Sequence, residues 1–427
     1  MSRIKDLDEL VEAAVINQET ADRINFYYQS KSNSSTSRLF IVFAIFGALL
    51  TGLGFILIIA HNWDELSRAT KTGMAFMPLV AGQFLCGYVL MKKQNSIAWR
   101  ESTTTFLIFA VGAVIALISQ IYNIPGNLSS FLLTWTILCF PLIYIMKSSL
   151  ASLLFIIGIT SYACVTSYFS YPREDSYLYW LLLAGALPHY YQLYKEKPQS
   201  NFMVFHHWII PLSIIITLGT VAKTNGELMF IAYFSLLGLF YMIGDSAFFS
   251  PQKPINNGYK IIGTLGTLIL LLSLSFDDFW EKLIHRDFPI DQVFTSPEFI
   301  AAIVLSFMAA ALFYFQYKNK PADQIKPIAY VFMLFIATYL LGLYFPFSVV
   351  LINLCVFLIG LLTMREGSRM DHLGVLNLGL LIIIALVICR FLDTDLSFVL
   401  RGIMFLIVGA GFFATNYIML KKRNKND

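Results

Sequence analysis

The sequence predicts an all-α, polytopic integral membrane protein of about fourteen transmembrane helices, with both termini in the cytoplasm. Three observations carry this. Of the 427 residues, 57% are apolar and 15% aromatic, but only 13% are charged, about half the share in a soluble domain. From Leu39 onward the chain is a train of apolar runs broken by short polar loops. The lysines and arginines are divided unevenly between alternate loops. Together these exclude a soluble enzyme, a disordered chain and a fibre.

Residues 1–38 form a separate polar head, too hydrophilic at its start for a secretory signal. In "LDELVEAAVINQETADRINFYY" the apolar positions Leu7, Leu10, Val11, Ala14, Val15, Ala21, Ile24 and Tyr27 recur at helical spacing. Asn17 suits the cap of a second helix, because its side-chain oxygen reaches the free amides of the next turn. The reading is a cytoplasmic helical hairpin followed by the Ser-rich linker "SKSNSSTS". Its amphipathic pattern offers a surface for a cytoplasmic partner.

Residues 39–427 are then one multi-pass bundle. A membrane helix needs roughly 17–25 mostly apolar residues. The runs fall at 39–60, 73–91, 103–122, 130–146, 150–169, 176–194, 208–221, 228–243, 260–276, 299–317, 327–344, 347–364, 373–391 and 398–420. The shortest are 208–221 and 228–243. The loops left over average roughly eight residues once the helices are assigned their usual length. No extramembrane catalytic domain fits there.

Orientation follows from charge. With the amino terminus inside, 22 of the thirty Lys and Arg fall on the inner side and eight outside. Such a bias sets topology, and it requires an even helix count to keep the tail "KKRNK" inside. Two hairpins, 39–93 and 373–422, are candidates for a repeat. "GMAFMPLVAGQFLCGYVLMKKQN" (73–95) and "GIMFLIVGAGFFATNYIMLKKRN" (402–424) share nine of 23 positions, a signature that transporters often show.

The acidic residues all lie outside these runs. Ion-coupled carriers usually bury a carboxylate in the membrane, so their placement argues against that mechanism. Polar residues within runs include Gln83, Gln120, Asn353, Asn377 and Asn416, with Arg390 and Arg401 near the outer face. Amides in lipid usually hydrogen-bond a neighbouring helix. Gln83, Gln120, Asn353, Asn377, Arg390 and Arg401 are also the candidates for substrate contact. Asn62, Trp63 and Asp64 mark an outer rim after the first run, and Tyr122 and Asn123 mark another beside the Pro125–Gly126 turn. The glycines within runs, Gly47, Gly52, Gly54, Gly263 and Gly266, suit close helix packing.

The loop 277–298 is the longest, and the place for an outer-face partner. Asp277, Glu281 and His285 are spaced four apart and could share a helical face, as a metal site needs. The same stretch, "FDDFWEKLI", also reads as an interfacial helix with Phe279, Trp280, Leu283 and Ile284 toward lipid. The latter is preferred, and no metal is expected. The five cysteines lie in apolar runs without a CxxC, as small packing residues do. No phosphate loop, cofactor motif or nucleic-acid motif is present in a usable context.

The head, the "GALLTGLGFILIIAHNWDEL" hairpin and the stretch "ISQIYNIPGNLSSFLLTWTILCFPLIYIMKS" together resemble a bacterial membrane-protein family known as domain of unknown function 2157. The resemblance is strongest over residues 5–160. It implies a bacterial inner-membrane protein and brings no activity or catalytic residue with it. Three classes of function remain. The sequence leans to a non-enzymatic envelope accessory or scaffold protein. The first alternative is a transporter or flippase for an apolar or lipid-like molecule, working without an intramembrane carboxylate. The second is an intramembrane enzyme on lipid-linked substrates, built from outer-rim residues such as His61, Asp64, His285 and Arg401.

Overall fold

The computed structural model describes residues 11, 13, 15–24, 40, 42–47, 49–51, 53–54, 66–171, 174–250, 252–286, 290–321, 325–392, 399, 402–403, 406, 409–411 and 413. Among these there are helices and turns but no strand. The chain divides into two compact units: residues 1–174 with 178–198, and residues 175–177 with 199–427.

The first unit is built on α1 (Arg68–Lys92), α2 (Ile97–Ile121), α3 (Leu128–Ile145), α4 (Ser149–Ser167) and α5 (Leu178–Glu196). The second contains α6 (Asn201–Leu218), α7 (Met229–Gly244), α8 (Gly258–Ser273), α9 (Asp278–Ile284), α10 (Pro297–Tyr317), α11 (Val331–Gly342), α12 (Ser348–Arg369) and α13 (Leu373–Leu392). Nine helices among the described residues are long and apolar enough to cross a membrane, or ten if the bent pair α8 and α9 is one span. The chain is therefore a multi-pass membrane protein. The two shortest predicted runs are both among the nine: α6 begins at Asn201, ahead of its run, and a 3-10 turn extends α7 back to Gly226, giving Asn201–Val221 and Gly226–Gly244. The α5 helix is not, since His189, Gln192, Lys195 and Glu196 occupy its second half.

Side-chain caps set several helix starts. Asn17 accepts from the Thr20 amide at 2.9 Å, as its position in the head predicts. Ser67 caps α1, Ser148 caps α4, Ser200 caps α6 and Ser296 caps α10. Each satisfies an amide that the first helical turn leaves free. Asn123 adopts a positive φ of 49° at the end of α2, a conformation asparagine tolerates better than most residues. Asn127 and Ser130 then form a reciprocal capping box on α3.

Packing in lipid cannot rely on hydrophobic transfer and rests on close fit. At Gly263 on α8 an added Cβ would lie 2.6 Å from the Tyr241 amide and 2.8 Å from the Leu237 carbonyl of α7. Only glycine permits that approach. At Gly266 an added Cβ would meet the Leu237 side chain, whereas Gly47 and Gly54 meet nothing within 4 Å. The second unit's core is aromatic: Phe234 stacks on Phe335 with centroids 3.9 Å apart, joined by Phe332, Trp280 and Tyr339. All five cysteines are free, each buried or half-buried.

Candidate functional site

The most distinctive feature is a break at the end of an apolar stretch of the second unit. Helix α8 stops at Ser273 and α9 starts at Asp278, with a 73° bend between their axes. The residues between leave backbone carbonyls without their helical partners. Three side chains from three helices take those carbonyls. Trp280 of α9 donates its indole N–H to the Leu274 carbonyl at 2.8 Å. Asn353 of α12 donates Nδ2 to the Ser275 carbonyl at 3.0 Å and to its own helix at Val349, 2.8 Å. Arg390 of α13 donates to the same Ser275 carbonyl and to Ser275 Oγ at 3.3 Å. Its guanidinium also lies 5.0 Å from the Phe276 ring centroid. Ser275 is wholly buried.

Two of the six substrate-contact candidates are therefore brought together on one backbone atom. Gln83, Gln120 and Asn377 are exposed on the surfaces of their own units and join no polar cluster there. Arg401, Asn62, Trp63 and Asp64, with His61 and Asn416, lie outside the described residues. Tyr122 is half exposed and its hydroxyl is 3.2 Å from Thr72 Oγ1. Asn123 forms the turn beside it. The second arm of the carboxyl-terminal hairpin, 398–422, also lies largely outside the described residues.

The segment after the break corrects the interfacial reading of loop 277–298. Its apolar face does not point to lipid. Trp280 and Leu283 are each only 1% exposed, and Trp280 packs against Phe279 and Gly342. The carbonyl freed by the break draws the indole inward, since an unpaired carbonyl in this setting costs several kcal/mol. Asp278, Glu281, Lys282 and His285 form the exposed side. Among the described residues, Asp277, Glu281 and His285 do not assemble as metal ligands.

A second correction concerns the acids. No described acid sits in the middle of a span, but Glu101 and Glu298 are not loop residues. Helices α2 and α10 begin earlier than the apolar runs, at Ile97 and Pro297, and so include them. Both are fully covered, at 1% and 0% exposure. In the first unit, Glu101 Oε1 accepts from the Ser149 amide at 3.0 Å. Its Oε2 accepts from the Leu150 amide at 3.0 Å and from the Ser148 hydroxyl. The carboxylate thus caps the start of α4. Ser149 Oγ is also 3.3 Å from His189 Nε2.

In the second unit, Glu298 Oε1 accepts from the amides of Lys223 and, at 3.0 Å, Asn225. Arg286 ties the same corner together. It donates to the Thr224 carbonyl at 2.6 Å and pairs with Glu227 Oε1 at 3.3 Å. The second carboxylate oxygens, Glu298 Oε2 and Glu227 Oε2, are buried without a hydrogen-bond partner, as are the Tyr339 hydroxyl and Asn353 Oδ1. Nearby, Lys223 Nζ bonds Asp175 at 2.8 Å, and that contact raises the lysine's pKa above its ordinary value.

Sequence reasoning missed the break, Glu101, Glu298 and Tyr339. The only local signal for the break was the polar sequence Ser273-Leu-Ser275-Phe-Asp277-Asp278 at the end of an apolar run, which a loop explains equally well.

The family model described as Predicted membrane protein (DUF2157) matches residues 8–152. The expected resemblance thus holds over the head, helices α1 to α3 and the start of α4, including Glu101, Ser148 and Ser149. No curated protein and no solved structure matches the chain.

Proposed function

We propose that this chain is a fourteen-span protein of a bacterial cytoplasmic membrane, with both termini in the cytoplasm, and that its second unit carries a small amphiphilic molecule without changing it chemically. The orientation draws support from the long-range polar contacts. Each joins groups that the lysine and arginine distribution assigns to one side. Lys260–Asp245 and Lys326–Glu366 fall on the inner side. Arg286–Glu227, Lys223–Asp175 and Arg390–Ser275 fall on the outer side.

The observation that carries the transport reading is the break between α8 and α9. Non-helical backbone at the outer end of a span is tolerated where protein buries it or where it lines a path. Carriers place their binding sites at such discontinuous helices. The surroundings are aromatic, with Phe276, Phe279, Trp280 and Tyr339, and carry few polar groups, chiefly Asn353 and Arg390. That mixture suits a mainly apolar molecule with one polar group. An accessory role fits the cytoplasmic hairpin, the short loops and the lack of acids within the spans; the burial of Glu101 and Glu298 at helix starts weakens the last of these.

The test is uptake by the purified full-length protein in proteoliposomes, with labelled amphiphiles including fluorescent phospholipids. The expected result is protein-dependent movement of one class, reduced at least tenfold by Asn353→Ala in folded protein. Movement of nothing in the panel, together with a stoichiometric protein partner retained from native membranes, would put the accessory reading in its place.

A further inference from the structure

We propose that the outer end of the second unit binds a monovalent inorganic cation between Glu298, Glu227 and Tyr339. The argument starts from the charges. Glu298 is fully buried, and its Oε1 is held by backbone amides from the segment before α7. Glu227 lies two residues beyond Asn225 and pairs with Arg286. Arg286 in turn holds the Thr224 carbonyl. These contacts make one connected cluster containing two carboxylates and one guanidinium, with one negative charge left over. Lys223 does not cancel it, because its ammonium is turned to Asp175.

Arg286 and Glu227 are partly open to solvent, so the charge that burial leaves without a partner is that of Glu298, and a buried ionised carboxylate with an unused oxygen calls for one. The atoms left without one point to its nature. Glu298 Oε2 and Glu227 Oε2 are buried acceptors with nothing donating to them. A third oxygen, independent of the acids, is the Tyr339 hydroxyl. That residue is 1% exposed, its hydroxyl has no partner, and it sits within electrostatic reach of Glu227 and Arg286.

Three unpaired oxygens suit a hard cation that takes oxygen ligands. One net negative charge suits a single positive charge. The cluster contains neither histidine nor cysteine, which argues against a transition metal. Phe279, from the helix that follows the break, lies 6.5 Å from the Tyr339 ring. The cation would therefore sit on the side chains that pack against the broken helix. Its role as a coupling ion rests on the transport reading. Its binding does not.

The test uses the full-length protein in lipid nanodiscs. Sodium and potassium chloride are titrated against choline chloride at constant ionic strength. Thermal unfolding and radioactive sodium binding are the readouts. The expected result is saturable stabilisation by one alkali cation, weakened at least tenfold by Glu298→Gln. Tyr339→Phe, which removes only the hydroxyl, weakens it several-fold and serves if Glu298→Gln does not fold. Equal behaviour in choline and in both alkali chlorides overturns the site, as does undiminished binding in a folded Glu298→Gln protein. Sensitivity to pH alone would place a proton on Glu298 and also overturn the cation site. Binding without transport leaves the cation site standing and removes only the carrier.

Discussion

Among the described residues, each unit buries one carboxylate in the opening turns of a span, and the two are treated differently. Glu101 in the first unit uses both oxygens, accepting two amides and a hydroxyl at the start of α4. Glu298 in the second unit accepts amides on Oε1 and leaves Oε2 without a partner. A buried acceptor with all its bonds made is part of the framework. A buried acceptor with half its bonds unmade requires another explanation. The difference teaches that burial alone does not mark a site, because Glu101 and Glu298 are equally covered. Hydrogen-bond completeness separates them, and it directs attention to the second unit.

The largest effect should come from Trp280→Ala. It removes a fully buried indole and strips the Leu274 carbonyl of its donor. The expected cost is about 3–5 kcal/mol, seen as a large drop in the unfolding temperature of the detergent-solubilised protein. A drop of only a degree or two would mean that α9 is not docked as described.

The next test sharpens the comparison itself. Glu101→Gln converts an acceptor that faces donors into an amide, leaving a donor facing a donor. Losing one buried hydrogen bond this way costs about 1–3 kcal/mol. Glu298→Gln can turn its NH₂ toward the unused position and keep the carbonyl on the Lys223 and Asn225 amides. It should cost less than about 1 kcal/mol in cation-free buffer. Equal losses for the two variants would erase the distinction between them.

A smaller effect is expected at Lys223. Its bond to Asp175 raises the lysine's pKa. The pair therefore stabilises the fold below the ordinary lysine range and loses that contribution as pH rises through the raised value. Both side chains are more than 40% exposed, so screening limits the effect to under about 1 kcal/mol. Lys223→Met should flatten the alkaline limb of the stability profile and change little at neutral pH. The smallest effect belongs to Asn377→Ala. That residue is exposed on α13, and stability should shift by no more than about 0.5 kcal/mol. A larger loss would show that Asn377 makes contacts its exposure does not suggest.

These contrasts follow what the sequence can and cannot carry. Each long described helix overlaps an apolar run, and Asn17 caps its helix, because periodicity and capping are local properties. Asn353 and Arg390 stand out in the sequence as polar residues in apolar surroundings, but their meeting at Ser275 joins positions 78 and 115 residues away from it. Glu101 and Glu298 escape notice because each directly precedes an apolar run and resembles a loop residue. Their burial depends on amides 48 and 73 residues distant. The break at Leu274–Asp277 escapes notice for a related reason: two of the three side chains that hold it come from α12 and α13.

The central claim is that the break between α8 and α9 belongs to a path through the second unit. The most direct measurement is thiol labelling of Ser275→Cys in intact cells, in a protein whose five native cysteines have been replaced, using a membrane-impermeant maleimide. Ser275 is fully buried in this conformation, so reaction reports the opening that a carrier must undergo. The account predicts time-dependent labelling from outside, slowed by the transported molecule. Complete resistance, while an exposed position such as His285→Cys reacts readily, would contradict it and make the break a sealed structural joint.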